Sequence, residues 1–212
     1  MTSIRSSLTI LAASLVCAMS APASAATIGF EGLVGPNVQT SLTALGLANS
    51  YLGNTWTTSS GAWGICDANC FGDQSLRAKT GTAYAWSSSG TQSMFINFGT
   101  ATTFNGGYFA GQFLNRGGYN SQSIQLLGFD AGSNLVGSTV ATSIQDSSWK
   151  YIAANFNNIS RLEIRSDRAG SWFAMDDLQV NATDVPEPAS LALLGLGLAG
   201  LAAARRKAAG KA

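Results

Sequence analysis

Beyond Thr80 the apolar residues come in short blocks, and glycine stands between them: Gly106-Gly107, Gly117-Gly118, Asp130-Ala131-Gly132 and Ala169-Gly170. The blocks Ala83–Trp86, Ser93–Phe98, Gly107–Leu114, Ser123–Phe129, Leu135–Val140, Trp149–Phe156, Ile159–Arg165 and Trp172–Val180 follow one another at spacings of about 9 to 15 residues. Many short strand signals with turn residues between them, and no convincing helix, predict an all-β fold: an antiparallel β-sandwich, jelly-roll-like. No internal repeat is visible, which argues against a propeller or a β-helix. Upstream, Thr27–Leu33 reads as a first strand with Ile28 and Phe30 on one face. Leu42, Leu45 and Leu47 fit a turn of helix or a strand equally. Residues 49–76 show little periodicity and read as a long irregular loop, of the kind that usually carries function.

The two ends are of different character. Arg5 opens a short basic region, Leu8 to Met19 is apolar, and Ala23-Ser24-Ala25 is a small-residue cleavage site, so residues 1–25 read as a signal peptide. Near the other end stand Pro186, Glu187 and Pro188, then an apolar run from Ala189 to Ala204 with one polar residue, Ser190, then Arg205, Arg206 and Lys207. As a helix the run spans about 24 Å, slightly short of a bilayer core of about 30 Å. The basic cluster after it holds that end on the cytoplasmic side. The expected organisation is a signal peptide (1–25), one β-sandwich domain (26–184) and a tail (185–212) with a short C-terminal transmembrane helix.

A Pro-Glu-Pro triplet, a short apolar helix and a terminal basic cluster, in that order, resemble the PEP-CTERM sorting signal. The resemblance rests on residues 185–207. It implies recognition by an exosortase, a membrane transpeptidase of Gram-negative bacteria that make exopolysaccharide. It also implies passage through the periplasm, transient tethering to the inner membrane, and delivery to the cell surface or extracellular matrix.

Five of the twelve basic residues lie in the signal peptide or after the apolar tail run, leaving seven up to Glu187 against all eleven acidic residues, which stand between Glu31 and Glu187, for a net charge of −4. No basic patch for nucleic acid is supported. All twenty aromatics lie in the remainder, among many Ser, Thr, Asn and Gly residues, as in a polar-coated extracellular β-domain. Cys17 leaves with the signal peptide, and Cys66 and Cys70 are expected to pair in an oxidising compartment. So short a disulfide loop stabilises by about 2 kcal/mol.

In strict alternation along the last strand, Trp172, Ala174, Asp176, Leu178 and Val180 share one face and Phe173, Met175, Asp177 and Gln179 the other. Asp176 then sits among apolar side chains, where a carboxylate must be hydrogen-bonded, bind a cation or pair with an arginine such as Arg161 or Arg165. Phe156 to Val180, with Gly29-Phe30-Glu31-Gly32, also resembles the termini of jelly-roll domains carried by PEP-CTERM proteins and, more loosely, of bacterial carbohydrate-binding sandwiches. That resemblance implies a structural calcium ion (Ca2+) held by Glu31 and Asp176, with Asp177 in reserve.

The sequence contains no histidine, which excludes Ser-His-Asp and Cys-His nucleophile systems and His-ligated zinc. Glycosidase chemistry needs two carboxylates facing one cleft, and 26–184 offers only Glu31 and Glu163 as glutamates. A G-x-G-x-x-G match at Gly195 to Gly200 lies inside the apolar tail with no strand before it, and the EF-hand-like Asp67-x-Asn69 lacks its closing glutamate. What remains is binding. Aromatic faces stack on sugar rings while polar side chains meet hydroxyls, which points to Tyr51, Trp56 and Trp63, with Trp86 and Tyr119 behind them. The expectation is a non-catalytic, exported module holding extracellular polysaccharide in a biofilm matrix. The alternative is a structural or adhesive protein that acts by protein contacts or self-association, with a secreted glycan hydrolase as a third reading.

Overall fold

The computed structural model describes residues 25–34, 39–41, 45, 47, 50–59, 63–67, 76–87, 92–111, 120–146 and 148–182. The signal peptide up to Ser24, Cys70, Tyr119 and the entire sorting tail with its expected helix lie outside the described residues.

The strands are β1 (Ala25–Ile28), β2 (Gln39–Ser41), β3 (Ser50–Tyr51), β4 (Asn54–Thr58), β5 (Trp63–Asp67), β6 (Ala83–Ser87), β7 (Ser93–Ala110), β8 (Ser123–Phe129), β9 (Leu135–Ser138), β10 (Thr142–Ser143), β11 (Lys150–Ser166) and β12 (Ala174–Ala182). The strands join in the order β10-β8-β11-β7-β12-β6-β5-β2, with β1 on β12, β4 between β3 and β7, and β9 on β8. All of these pairings are antiparallel. The all-β sandwich expected from the glycine-punctuated blocks is the fold observed.

Two long strands make the sandwich. The blocks Ser93–Phe98 and Gly107–Leu114, read from the sequence as separate strands, are joined within β7 as far as Ala110, and Trp149–Phe156 and Ile159–Arg165 are joined within β11 from Lys150 onward. Their mutual register slips between Ala153 and Phe156, between Phe156 and Ile159, and between Ile159 and Arg161. Asn155 and Asn158 absorb the extra residues in left-handed backbone, at φ 53° and 56°. Asparagine tolerates that conformation better than most side chains, so the gap between the Trp149–Phe156 and Ile159–Arg165 blocks is made of bulges inside one strand. Beyond the bulges the halves part. The Ser93 end of β7 and the Arg161–Arg165 end of β11 join β4 and β8 in a first layer; the other halves join β12, β6 and β5 in a second.

Alternate residues of both layers meet in one core. Trp56, Met94, Ile96, Ile124, Leu126, Leu162 and Ile164 come from the first, and Ile28, Trp63, Ile65, Phe104, Phe109, Ile152, Met175 and Leu178 from the second. The described residues of 49–76 therefore do not form the irregular loop expected. They supply β3, β4 and β5, whose tryptophans are core anchors that the surrounding Ser, Thr and Gly concealed. The outer face of β5 and β6 is buried too, with Cys66, Tyr84 and Trp86 covered by Leu76, Trp149 and Trp172. Tyr84 meets Trp149 edge-on at 6.0 Å, as Trp86 meets Trp172.

In β12 the strict alternation fails. Asp177 lies at φ 48°, and between Asp176↔Tyr108 and Gln179↔Gly106 three residues of β12 advance against two of β7. This bulge puts Leu178 in the core with Phe173 and Met175. Asp176 stays with Ala174 on the outer side of the layer, so it is not a neighbour of Leu178 as alternation alone implied.

Candidate functional site

The segment from Leu76 to Thr82 crosses the outer side of the second layer and is pinned there by three carboxylates. Asp176 accepts from the backbone N–H groups of Lys79 (2.9 Å) and Thr80 (3.3 Å) through Oδ2, and from that of Asp177 (2.8 Å) through Oδ1. Asp177 Oδ1 accepts from the Thr80 hydroxyl at 2.8 Å. Glu31 accepts from Thr82 N–H (3.0 Å) and hydroxyl (3.2 Å) through Oε2, and from Ala83 N–H (3.2 Å) through Oε1. Gly81, at φ +61°, faces the Glu31 carboxyl, and a Cβ there would collide with it.

The three acids implied by the calcium resemblance thus serve one loop. Among the described residues, every hydrogen bond to their oxygens comes from an N–H or O–H donor, so the three carboxylates are partnered by the loop itself. No group of three or more His, Cys, Asp or Glu converges among the described residues. As arranged, the set is an amide clamp and does not fit a calcium cage. The arginines considered as partners of Asp176 lie elsewhere: Arg165 Nε donates to Glu163 at 2.8 Å on the first layer.

Beside the clamp lies a concavity of about 410 Å³ lined by Thr27, Lys79, Thr80, Tyr108, Asp177 and Gln179. Tyr151 adjoins it through two of the lining residues. Its ring sits 5.2 Å from that of Tyr108, and its hydroxyl donates to Gln179 Oε1 at 2.9 Å. Lys79 Nζ stands 4.7 Å over the Tyr108 ring. Partial burial, and then the nearby Tyr108, raise the Tyr151 phenol above its ordinary pKa, so it stays protonated and keeps donating. Gly106, at φ +151°, makes room for this ring: a Cβ there would lie 2.7 Å from the Tyr151 hydroxyl. The Tyr108 ring, an ammonium, a carboxylate, an amide and two threonine hydroxyls therefore share one open depression, with the exposed Tyr151 ring beside it. Such a set grips a polyhydroxylated ring by stacking and hydrogen bonds.

The aromatics singled out from the sequence are not this surface. Trp56 and Trp63 are 1% exposed and pack edge-on at 5.2 Å, and Trp86 is 5% exposed. Their indoles are committed to the core and the second cluster, so none forms a stacking platform. Tyr51 is half-buried, with its hydroxyl donating to Gly29 O at 2.8 Å and its ring against Phe30. Tyr119 lies outside the described residues. Cys66 is buried, its Sγ 3.2 Å from the Tyr84 hydroxyl; Cys70 is undescribed, so their pairing stays an expectation. Sequence reasoning missed Tyr108 and Tyr151, although each stands beside a core residue, Phe109 and Ile152, and so must face the other way.

Residues 184–207 match the PEP-CTERM protein-sorting motif. No curated protein matches the sequence. Among solved structures, the chain is similar to a DUF4465 family protein from Bacteroides caccae, with 13% identity over 76% of this chain and 100% of that one and a TM-score of 0.51. It is also similar to the K1 cleaved adhesin domain of Lys-gingipain from Porphyromonas gingivalis, with 11% identity, 76% and 99% coverage and a TM-score of 0.44. A third is the CBM22-1 xylan-binding domain from Paenibacillus barcinonensis Xyn10C, with 12% identity, 75% and 99% coverage and a TM-score of 0.41. At these identities the likeness to the first concerns the fold alone. The sorting motif marks an exported, surface-sorted protein.

Proposed function

We propose that this surface-sorted protein is a non-catalytic module that binds extracellular polysaccharide of the matrix through the Tyr108–Tyr151 concavity, after exosortase processing of its tail in a Gram-negative envelope. The observation that carries the reading is the open pair of tyrosine rings with Lys79, Asp177 and Gln179 around it. Ring faces meet the C–H faces of a sugar, and the polar groups exchange hydroxyl hydrogen bonds. The arrangement favours binding over hydrolysis, because Asp177 faces the concavity while Asp176 is buried beneath the loop, with no second carboxylate lining the concavity among the described residues. A Cys66–Cys70 disulfide belongs to the same proposal as a stiffener beyond β5.

Co-sedimentation with the producing organism's own exopolysaccharide, with calcium and with chelator, tests it. Saturable binding is expected, reduced about tenfold or more by Tyr108→Ala or Tyr151→Ala, as for loss of a stacking ring. No binding in either condition, or binding indifferent to both substitutions, overturns the reading.

A further inference from the structure

The outer face of the first layer carries a different chemistry. Met94, Ile96, Leu162 and Ile164 point into the core, so Phe95, Arg161, Glu163 and Arg165 project outward. The register sets Arg161 opposite Phe129 of β8, and Glu163 opposite Phe95 of β7. The Arg161 guanidinium carbon lies 4.5 Å from the Phe129 ring centroid and 5.9 Å from that of Phe95, and both rings are half-buried. Its Nε is buried and without a hydrogen-bond partner among the described residues. The neighbouring carboxylate, Glu163, is 6% exposed and already taken, by Arg165 Nε and the Ser93 hydroxyl, each at 2.8 Å. Arg161 is thus a partly exposed cation held between two rings, with one buried N–H unpartnered among the described residues and the adjacent carboxylate engaged by other groups.

We infer that this face is a second binding site, for a carboxylate-bearing (uronic) polysaccharide, with Arg161 receiving the carboxylate and Phe95 and Phe129 receiving the sugar rings on either side. A guanidinium flanked by rings and left without a carboxylate partner lacks what an anion supplies, and the open side of its planar fork matches a carboxylate in two parallel hydrogen bonds. The flanking phenyl rings hold the fork in place and add apolar area to meet C–H faces. The site runs across β7, β11 and β8 as an open sheet surface, which suits a long chain and not a small enclosed molecule. It stands apart from the Tyr108 concavity, which belongs to the other layer. Occupation of both faces lets one molecule join two polysaccharide chains.

The test is affinity electrophoresis of the full chain through gels containing polygalacturonate or, separately, neutral galactan. Retardation by polygalacturonate that weakens with salt is expected, with binding reduced at least about tenfold by Arg161→Met, the loss of one charge-assisted contact. Arg161→Lys keeps the charge without the fork and falls between the two; Tyr108→Ala leaves the effect intact. Thermal midpoints of the variants separate lost binding from lost folding, and Phe129→Leu, which spares the arginine, weakens retardation in a folded protein. Absence of retardation, equal retardation by the neutral galactan, or wild-type behaviour of Arg161→Met overturns the inference. Weakening by Tyr108→Ala as large as by Arg161→Met overturns it as well, by reducing the two faces to one.

Discussion

Asp176 carries the sharpest consequence of burial. It is 1% exposed, and burial pushes its carboxyl up to about 7, with the Asp177 charge acting in the same direction against the amide bonds from Asp177, Thr80 and Lys79. Unfolded, the group titrates near 4. Between these values the folded chain holds a proton that the unfolded chain releases, so this group's contribution to stability is fully present below about pH 4 and is lost as pH rises through 7. Asp176→Asn removes the titration. Its stability relative to wild type is therefore expected to improve as pH rises from 4.5 to 7.5, by about 1 kcal/mol per unit at most, read from thermal melts. A slope identical to wild type overturns the assignment. Calcium is expected to leave the wild-type midpoint unchanged, as an amide clamp requires, whereas a rise in midpoint establishes the cation site implied by the resemblance. Alternation correctly marked Asp176 as a carboxylate needing compensation. It did not find the compensating amides, because they lie almost a hundred residues away, at Lys79 and Thr80.

At the scale of elements, the bends in β7 and β11 decide what faces solvent. Gly106 sits where β7 passes under Tyr151, in a backbone conformation that side chains rarely adopt, with the Ile152 carbonyl and the Tyr151 phenol against the missing Cβ. Gly106→Ala is expected to cost about 1–3 kcal/mol. Because the phenol must move, it is also expected to weaken polysaccharide binding in the population that still folds. Thermal melts and co-sedimentation on the same preparation read both, and a variant with wild-type binding sinks the placement of Tyr151 at the site. The glycine pair Gly106-Gly107 was visible in the sequence as punctuation. A turn and a bend within one strand use the same residues, so pattern alone read it as a chain break.

For the whole molecule, the open edge at β9 bears on how copies meet. Among the described residues β9 pairs with β8 alone, and Leu135, Val136 and Val140 around it are 55%, 45% and 82% exposed. Residues 131–145 contain no charged side chain to discourage edge pairing. Self-association through this edge is the form the structural or adhesive alternative takes here. Sedimentation velocity is expected to show a concentration-dependent dimer that Val136→Lys abolishes. A monomer throughout the concentration range removes that alternative.

The sequence by itself determined the address and the class of this protein. A sorting tail is a linear signal read by composition and order, and glycine-separated blocks of apolar residues specify strands through local backbone preference. Local pattern also placed Ile28 and Phe30 together, both buried in the core. Only the tertiary structure decided which aromatics are surface and which are core. Trp56 and Trp63 looked available in a polar stretch, but they fill the space between the layers. Tyr108 and Tyr151 meet only because two bent strands lie side by side in register. The loop clamped by Glu31 and Asp176, and the arginine set between Phe95 and Phe129, likewise join residues far apart in the chain. Burial and proximity are properties of the packed whole, and no local spacing encodes them.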